Sequence, residues 1–316
     1  MSLLLARRIA MLVVTLVAAS IALFLVLDIL PGDPALVMLG TEARPDTLAA
    51  LRREMGLDQP ALVRYVTWIG GVAVGDFGIS YTWRVPVASL IAERLAVTVP
   101  LAVMAIVLST LIAVPVGVIA AAAHGRTLDW MIVSFAQVGV AVPNFWIGIL
   151  LVLGFSIGLG WFPAGGFPGW QAGVGAGLSA LILPSVALAL PQAAILARVT
   201  RSAVLEVVGE DYIRTARAKG LTARQALWRH GLRNALIPVV TILGLQVPVL
   251  IAGAILIENV FALPGLGRLI FQALGQRDLI VLKDVALLLA GLVIIVNGLV
   301  DIAYTLIDPR LKDRLA

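Results

Sequence analysis

The fold of this chain is decided by residues 130–197, which read WMIVSFAQVGVAVPNFWIGILLVLGFSIGLGWFPAGGFPGWQAGVGAGLSALILPSVALALPQAAILA. These 68 residues contain no Asp, Glu, Lys or Arg. A helix needs roughly 20 apolar residues to cross the hydrocarbon core of a bilayer, which is about 30 Å thick. The stretch is too long for two helices without a break, and glycines and prolines between residues 160 and 169 provide one. The sequence therefore predicts two membrane spans, near residues 131–157 and 176–197.

Four further stretches without charged residues predict four more spans. They are 9–27, 95–123, 234–257 and 285–300, the last of which we extend to residue 307. The composition agrees, since 61% of the 316 residues are hydrophobic and 13% are charged, with a mean hydropathy of +1.05. Soluble proteins carry about 45–50% apolar and about 25% charged residues. We therefore predict an all-α polytopic membrane protein with six transmembrane helices.

The first span has two interpretations, a signal peptide or a retained helix. Its apolar run is longer than that of a typical signal peptide, and it ends in Leu-Pro-Gly-Asp-Pro at residues 30–34 rather than in a small-x-small cleavage site. We interpret residues 1–30 as a retained N-terminal transmembrane helix.

The distribution of basic residues predicts the orientation in the membrane. Six spans place both termini on one side, together with loop 198–233, which holds eight Lys or Arg and three acidic residues. Its excess of five equals the net charge of +5 of the whole chain. Because basic loops stay in the cytoplasm, both termini are predicted to be cytoplasmic. The chain then divides into helix 1, an extracytoplasmic region at 31–96, and a core at 97–316 that contains the cytoplasmic loop.

The extracytoplasmic region is longer than an ordinary connection. It contains two predicted helical stretches, near residues 45–55 and 60–68. Two roles remain open for it, docking of an external protein and a structural cap over the spans.

Few residues in the sequence are suited to catalysis or to ion coupling. The chain has no cysteine and only two histidines, His124 and His230, both in predicted cytoplasmic loops. It lacks the His-Glu-x-x-His motif of zinc proteases and the Gly-x-x-x-x-Gly-Lys-Ser/Thr loop that binds ATP phosphates. Ion-coupled carriers usually need ionisable groups in their spans. The predicted spans hold amides suited to interhelical hydrogen bonds, and the carboxylates Asp28, Glu258 and Asp301 lie only at span ends. A membrane enzyme and a secondary transporter are both disfavoured, and any ATP must be bound by another chain.

The cytoplasmic loop carries signals for two short helices. Acidic residues follow Gly209, and the first helix is predicted over residues 212–219, with Gly220 as the glycine that ends it. Thr222 and Gln225 then have the spacing of a capping box, which predicts a second helix over about 223–231.

The surface chemistry of this loop is compatible with two interpretations. Basic loops bind anionic lipid headgroups, and composition alone does not separate that role from docking to a protein. The capped helices favour a protein partner, because attraction to headgroups does not require glycine at one position. The candidate apolar anchors are Tyr212, Ile213 and Leu221, and Ala216 and Ala218 are small enough to permit close approach. The candidate cations are Arg214, Arg217 and Lys219.

The loop resembles the EAA-type loop of binding-protein-dependent ABC importer permeases, in particular the dipeptide, oligopeptide and nickel branch. The resemblance rests on DYIRTARAKGL at 211–221 and RHGLRNALIP at 229–238. Further similar stretches are LPGDPA at 30–35, GLDQP at 56–60, GDFGIS at 75–80, ENVF at 258–261, PGLG at 264–267 and DPR at 308–310. The LPGDP start resembles the first of the two permeases in these systems. The loop departs from the general pattern, with Arg214-Thr215-Ala216 in place of Glu-Ala-Ala and Leu232-Arg233 in place of Leu-Pro.

This resemblance implies a type I ABC importer permease fold in a bacterial cytoplasmic (inner) membrane. It implies as partners a second homologous permease, two ATPase subunits, an extracytoplasmic substrate-binding protein that is lipid-anchored or periplasmic, a peptide substrate and membrane lipid. It implies no nucleic-acid partner. It also implies no cofactor in this chain and ATP with Mg²⁺ on the ATPase subunits. Nickel chelates, glutathione and other small solutes remain open as substrates. The implied coupling helix, which contacts the ATPase, comprises Asp211, Tyr212, Arg214, Thr215, Ala216, Arg217, Ala218, Lys219, Gly220 and Leu221.

Overall fold

The structure, a computed structural model, describes residues 2–29, 34–39 and 44–307. Within these ranges the regular elements are helical, and the one β-bridge joins Ile79 to Pro86. The α-helices are α1 Ser2–Ile29, α2 Pro34–Leu39, α3 Pro45–Glu54, α4 Ala61–Ala73, α5 Val87–Ala122, α6 Thr127–Ala141, α7 Asn144–Leu151, α8 Val174–Gly209, α9 Asp211–Ala218, α10 Ala223–Ala226, α11 Leu232–Val260, α12 Leu266–Gly275 and α13 Leu279–Ile307. Two π-helical segments, Val152–Gly158 and Leu227–Gly231, continue α7 and α10. The all-α prediction is confirmed.

Five helices are long and apolar enough to cross a membrane without interruption. They are Arg7–Leu27 within α1, Val87–Ala122, Val174–Gly209, the continuous run Ala223–Val260 and Leu279–Val300. A sixth span is a bent pair, in which Thr127–Ala141 and Asn144–Gly158 meet at 101°. The prediction of six spans is confirmed when this pair counts as one.

The predicted span over residues 131–157 is not one straight helix, because the helix breaks at Val142 and Pro143. Proline has no N–H to donate, and its ring disfavours helical geometry in the residue before it. Val142 is accordingly extended, with φ −86° and ψ 125°, and Pro143 has φ −60° and ψ 137°. The chain therefore changes direction inside an apolar stretch.

Several predicted boundaries shift where tertiary packing extends a helix. Residues 198–209, predicted as part of a loop, continue α8 to Gly209. The last span begins at Leu279 rather than at residue 285, and the connection before it contains α12. Two local predictions are confirmed, since α3 and α4 match the helical stretches expected near 45–55 and 60–68.

The chain forms two compact units. The first comprises Met1–Thr98 with Pro264–Gly298, and the second comprises Val99–Leu263 with Leu299–Ala316. In the first unit, buried Asp278 accepts hydrogen bonds from the Ser80 hydroxyl at 2.6 Å and from the Thr82 backbone N–H at 3.0 Å. The predicted division at residue 96 between an extracytoplasmic region and a core stays a prediction.

Helix α8 is the centre of the second unit. The apolar window of α8 is 72% buried, whereas the other uninterrupted spans are 11–28% buried. It packs against α6, α7 and α11. One of its apolar clusters joins α5, α8 and α11, through Ala113, Ala193, Leu196, Ala197 and Val239. Because α8 runs on to Gly209, the element at the core of this unit also leads directly into the cytoplasmic loop predicted from the sequence.

Candidate functional site

The candidate site begins where α8 ends. Glu210 adopts an extended conformation, with φ −69° and ψ 146°, and thereby separates α8 from α9. Asp211 lies in the first turn of α9, where its negative charge is favoured by the helix dipole. The Arg214 guanidinium donates to the Asp211 carboxylate at 3.2 Å, but both side chains are exposed, so this ion pair adds little stability.

Helix α9 ends in a Schellman motif. The N–H of Gly220 donates to the carbonyl of Arg217 at 3.0 Å, and the N–H of Leu221 donates to the carbonyl of Ala216 at 3.3 Å. These two bonds satisfy carbonyls that the last turn of a helix leaves without partners. Gly220 has φ +97°, in the left-handed region that favours glycine. The predicted helix stop at Gly220 is confirmed.

The second short helix starts with the predicted capping box. The Thr222 hydroxyl accepts from the backbone N–H of Gln225 at 3.3 Å, and the Gln225 side chain accepts from the backbone N–H of Thr222 at 3.0 Å. Helix α10 covers only Ala223–Ala226 and continues through the π-helical segment Leu227–Gly231 into α11. The prediction of a separate helix over 223–231 is therefore correct at its start, whereas its end is continuous with the next span.

The inner face of α9 packs against the chain itself. Ile213 is 2% exposed and Ala216 is 9% exposed, and they form an apolar cluster with Ala226, to which Val207 of α8 and Leu221 are packed. The expectation that Ile213, Ala216 and Leu221 also contact a partner stays a prediction. Their apolar atoms are used to hold α9 against α8 and α10.

The outer face of α9 is exposed. It carries most of the residues that the sequence predicted for this site, namely Asp211, Tyr212, Arg214, Thr215, Arg217, Ala218, Lys219 and Gly220. The Tyr212 hydroxyl accepts a hydrogen bond from the Asn234 side chain at 3.0 Å, which ties α9 to the start of α11. The site is thus anchored to α8 at one end and to α11 at the other.

The structure adds residues that the sequence interpretation missed. Trp228 is 59% exposed, and further exposed side chains beside it are Arg224, Arg229 and His230. The signal was present in the capping box, which places a helix after Thr222, but an exposed tryptophan within an apolar sequence is not recognisable without the fold. Aromatic and arginine side chains are common at the energetic centres of protein interfaces. We define the docking surface as the exposed residues of 211–220 together with Arg224, Trp228, Arg229 and His230.

A partly buried ion pair joins the first turn of α6 to α8. Arg201 of α8 donates to both carboxylate oxygens of Asp129, at 2.6 and 2.7 Å, in a bidentate arrangement. The Oδ2 atom of Asp129, which accepts the 2.7 Å bond from Arg201, also accepts from the Gly125 backbone N–H at 3.0 Å. The His124 ring lies 3.1 Å from the Arg201 guanidinium. This Asp129–Arg201 link joins α8 to α6 ten residues before the start of α9.

The exposed groups of the docking surface can bind a partner by ion pairs, hydrogen bonds and stacking. Within the described ranges 2–29, 34–39 and 44–307, there is no group of three His, Asp or Glu residues placed to hold a metal ion. The geometry is that of an exposed, mostly basic surface at the end of a buried helix.

Comparison with known proteins identifies the family. Residues 113–313 match the family described as binding-protein-dependent transport system inner membrane component, and residues 1–102 match the N-terminal region of such membrane components. The chain is 43% identical, over 99% of both chains, to a putative peptide transport system permease protein of Brucella abortus (strain 2308).

Two further relatives have a lower sequence identity and also align over nearly the full length of both chains. The oligopeptide transport system permease protein AppB of Bacillus subtilis (strain 168) is 38% identical over 97% of this chain and 98% of its own. The dipeptide transport system permease protein DppB of Escherichia coli (strain K12) is 38% identical over 98% of each chain. The family model matches more than half of the chain, and the predicted resemblance is confirmed. The chain belongs to the binding-protein-dependent transport system inner membrane components, and it is a permease of an ABC transport system rather than an enzyme.

Proposed function

We propose that this permease forms half of a translocation path for short peptides and that its docking surface receives the force of an ATPase subunit. The observation that carries the proposal is the construction of α9, whose inner face is buried on α8 and α10 while its outer face is exposed and basic. Such a helix can bind a partner without losing its own packing. The printed names of the relatives, which are peptide, oligopeptide and dipeptide permeases, support the substrate class.

Force applied to α9 would reach three membrane helices. Helix α8 has 36 residues and is therefore about 54 Å long. Val207 packs α9 onto α8, and Asn234 bonds it to α11. The Asp129–Arg201 link then passes a displacement of α8 to the start of α6. A push on one short helix would in this way move α8, α11 and α6 together, which suits a change of access between the two sides of the membrane.

The remaining parts of the system are assigned by the same proposal. A second homologous permease completes the path, two ATPase subunits hold ATP and Mg²⁺, and an extracytoplasmic binding lipoprotein delivers the substrate. This chain then needs no cofactor of its own. Both termini lie in the cytoplasm, and region 31–96 lies outside, where α3 and α4 help to dock the binding protein. The excess of basic residues in loop 198–233 supports this orientation.

Cysteine cross-linking tests the docking surface. The chain has no cysteine, so each introduced cysteine is unique. Tyr212→Cys should cross-link to an ATPase subunit carrying a cysteine in its docking cleft, in the assembled complex and with ATP bound. Gln171→Cys, equally exposed in the connection before α8, is the matched control. A membrane-impermeant maleimide applied to intact cells should label Gln171→Cys and spare Tyr212→Cys.

The two readouts separate the two parts of the proposal. Equal cross-linking of both variants would remove the docking assignment. Labelling of Tyr212→Cys from outside the cell would reverse the orientation. The peptide assignment has its own test, which is identification of the ligand on the cognate binding protein. Recovery of a nickel chelate or glutathione instead of short peptides would contradict it and leave the docking surface in place.

A further inference from the structure

Helix α8 is largely buried, but its last turns leave one stripe of polar side chains exposed. Arg198, Ser202 and Glu206 are exposed, whereas Thr200 and Val204 between them are buried. The spacing of four residues places the three exposed side chains along one side of the helix. The stripe begins directly after the long uncharged stretch of the sequence ends. Polar groups are therefore exposed where the apolar part of α8 gives way to the basic loop.

A cavity of about 450 Å³ lies along this stripe. The three exposed residues line it together with Ile195 of α8, and Pro238 contributes from α11. Its volume is within the range of small-molecule sites, about 300–1,000 Å³. One helical turn before Ile195, the buried Gln246 side chain of α11 donates to the backbone carbonyl of Gln192 at 3.0 Å. This bond holds α8 and α11 together next to the cavity.

The lining carries one positive and one negative charge that other side chains leave uncompensated. Arg198 donates to the amide oxygen of Gln137 at 3.2 Å, a neutral partner. Among the residues that the structure describes, neither Arg198 nor Glu206 forms an ion pair. Arg201, the next cation along α8, is already bound by Asp129 through two hydrogen bonds. The charges of Arg198 and Glu206 are therefore available to a ligand that carries both signs.

The separation of Arg198 and Glu206 along α8 restricts the length of that ligand. They are eight residues apart in one helix, which corresponds to about 12 Å along its axis. An extended peptide spans about 3.3–3.6 Å per residue, so three or four residues place its terminal ammonium and carboxylate roughly 10–14 Å apart. A single amino acid carries both groups on one carbon atom, and a phospholipid headgroup separates phosphate from ammonium by two carbon atoms. Only the peptide matches the spacing.

We propose that this cavity binds a peptide of three or four residues by its two ends, with the carboxylate at Arg198 and the ammonium group at Glu206. Arginine suits the first role because its planar guanidinium can donate two parallel hydrogen bonds to a carboxylate. This assignment rests on the proposed function, since it names where the peptide is held on the translocation path.

The site lies next to the element that the ATPase is proposed to move. Glu206 directly precedes Val207, which packs α9 onto α8. A peptide held between Arg198 and Glu206 therefore contacts the same turns of α8 that support the docking surface. The cavity is a late site on the path, at the end of α8 that leads into the cytoplasmic loop.

Protection of an introduced cysteine tests the site in the assembled complex. Ser202→Cys places a thiol in the cavity of a chain that has no cysteine of its own. Inside-out membrane vesicles, which present the cytoplasmic side, are treated with a maleimide in the absence of ATP. Millimolar trialanine should slow the labelling of Ser202→Cys several-fold. Val208→Cys, exposed on the same helix but outside the cavity, is the matched control and should be labelled at an unchanged rate.

Blocked peptides assign the two ends. N-acetyltrialanine lacks the ammonium group and trialanine amide lacks the carboxylate, so each should protect about tenfold less well, the effect of one charge-assisted hydrogen bond. Alanine, which cannot reach both charges, should not protect. With Arg198→Gln added, trialanine and its amide should protect equally, because the group that distinguishes them is gone. With Glu206→Gln added, trialanine and its N-acetyl form should protect equally for the same reason.

Two protection results would overturn the proposal. The first is equal protection by trialanine and its blocked forms, a comparison made in Ser202→Cys alone, so that no charge variant has to fold. The second is protection by alanine as strong as that by trialanine, which would show that the two charges do not act together. Uptake of trialanine by the Ser202→Cys complex with its binding protein is measured separately. Uptake without protection would remove this site and leave the proposed function in place, whereas protection without uptake would support the site and remove the transport assignment.

Discussion

Substitution of Gly220 by valine perturbs the docking surface through the backbone alone. A Cβ atom at Gly220 would meet nothing within 4 Å, so the substituted residue finds open space at this position. The cost arises from φ +97°, which a β-branched residue rarely adopts. Holding such a residue in a sparsely populated backbone region costs on the order of 1–3 kcal/mol. The valine variant relieves this strain by giving up the two hydrogen bonds that end α9.

This backbone strain should measurably weaken the coupling between ATP hydrolysis and transport. If the strained form is the one that binds the ATPase, its population falls by roughly five- to a hundredfold, since about 1.4 kcal/mol is a factor of ten. We expect the apparent affinity for the ATPase subunits to fall by that factor in proteoliposomes. We also expect fewer substrate molecules transported per ATP, while insertion and binding of the substrate-loaded binding protein stay unchanged.

The matched control is Gly209→Val at the end of α8. Gly209 also has open space around a new Cβ, but it lies in a helix and has no positive φ. Valine is a better helix residue than glycine, so this variant should couple normally. Equal ATPase affinities for Gly220→Val and Gly209→Val would refute the reasoning, because the two variants add the same side chain and differ only in backbone geometry.

Three further predictions concern the anchoring of this surface. Thr222→Ala removes the capping box at a cost of about 1 kcal/mol, so the apparent ATPase affinity should fall about fivefold, and Thr222→Ser should restore it. Gly117→Val should destabilise the complex by about 1–3 kcal/mol in thermal unfolding, because its Cβ would lie 2.6 Å from a carbonyl oxygen of α8. Gly175→Val, whose Cβ would lie in open space, should leave the thermal stability unchanged. Asp129→Asn removes the charge that Arg201 binds, and it should lower transport per ATP without changing ATPase affinity; unchanged transport per ATP would show that this link carries no movement.

Features that depend on neighbouring residues in sequence were predictable. The absence of charge over 68 residues, the glycine stop at Gly220 and the Thr222–Gln225 capping box each follow from chemistry within one or two helical turns. The positions of α3 and α4 were predictable for the same reason. Family membership followed from several short motifs taken together, and the comparisons confirm it.

Features that depend on packing between distant segments were not predictable. Ile213 and Ala216 are apolar residues of a surface helix, and only the fold shows that Val207 and Ala226 cover them. Pro143 is one of several prolines in apolar stretches, and the sequence does not distinguish the one that bends the chain by 101° from those within continuous helices such as Pro184. A cavity beside α4 brings together residues more than 200 positions apart, a separation that no local pattern reports.

The close contact between α5 and α8 limits how this unit can change shape. At Gly117 the backbone of α5 approaches α8 so closely that a Cβ would lie 2.6 Å from the Ala197 carbonyl oxygen, and the Asp129–Arg201 link joins α8 to the start of α6, the helix that follows α5. Two helices in such close contact resist sliding past each other, which disfavours shear between them. The break at Val142 and Pro143 lies in the same unit, between α6 and α7. Opening of the path would then carry α5, α8 and the start of α6 as one body, and the permease would change access by tilting that body rather than by rearranging its helices.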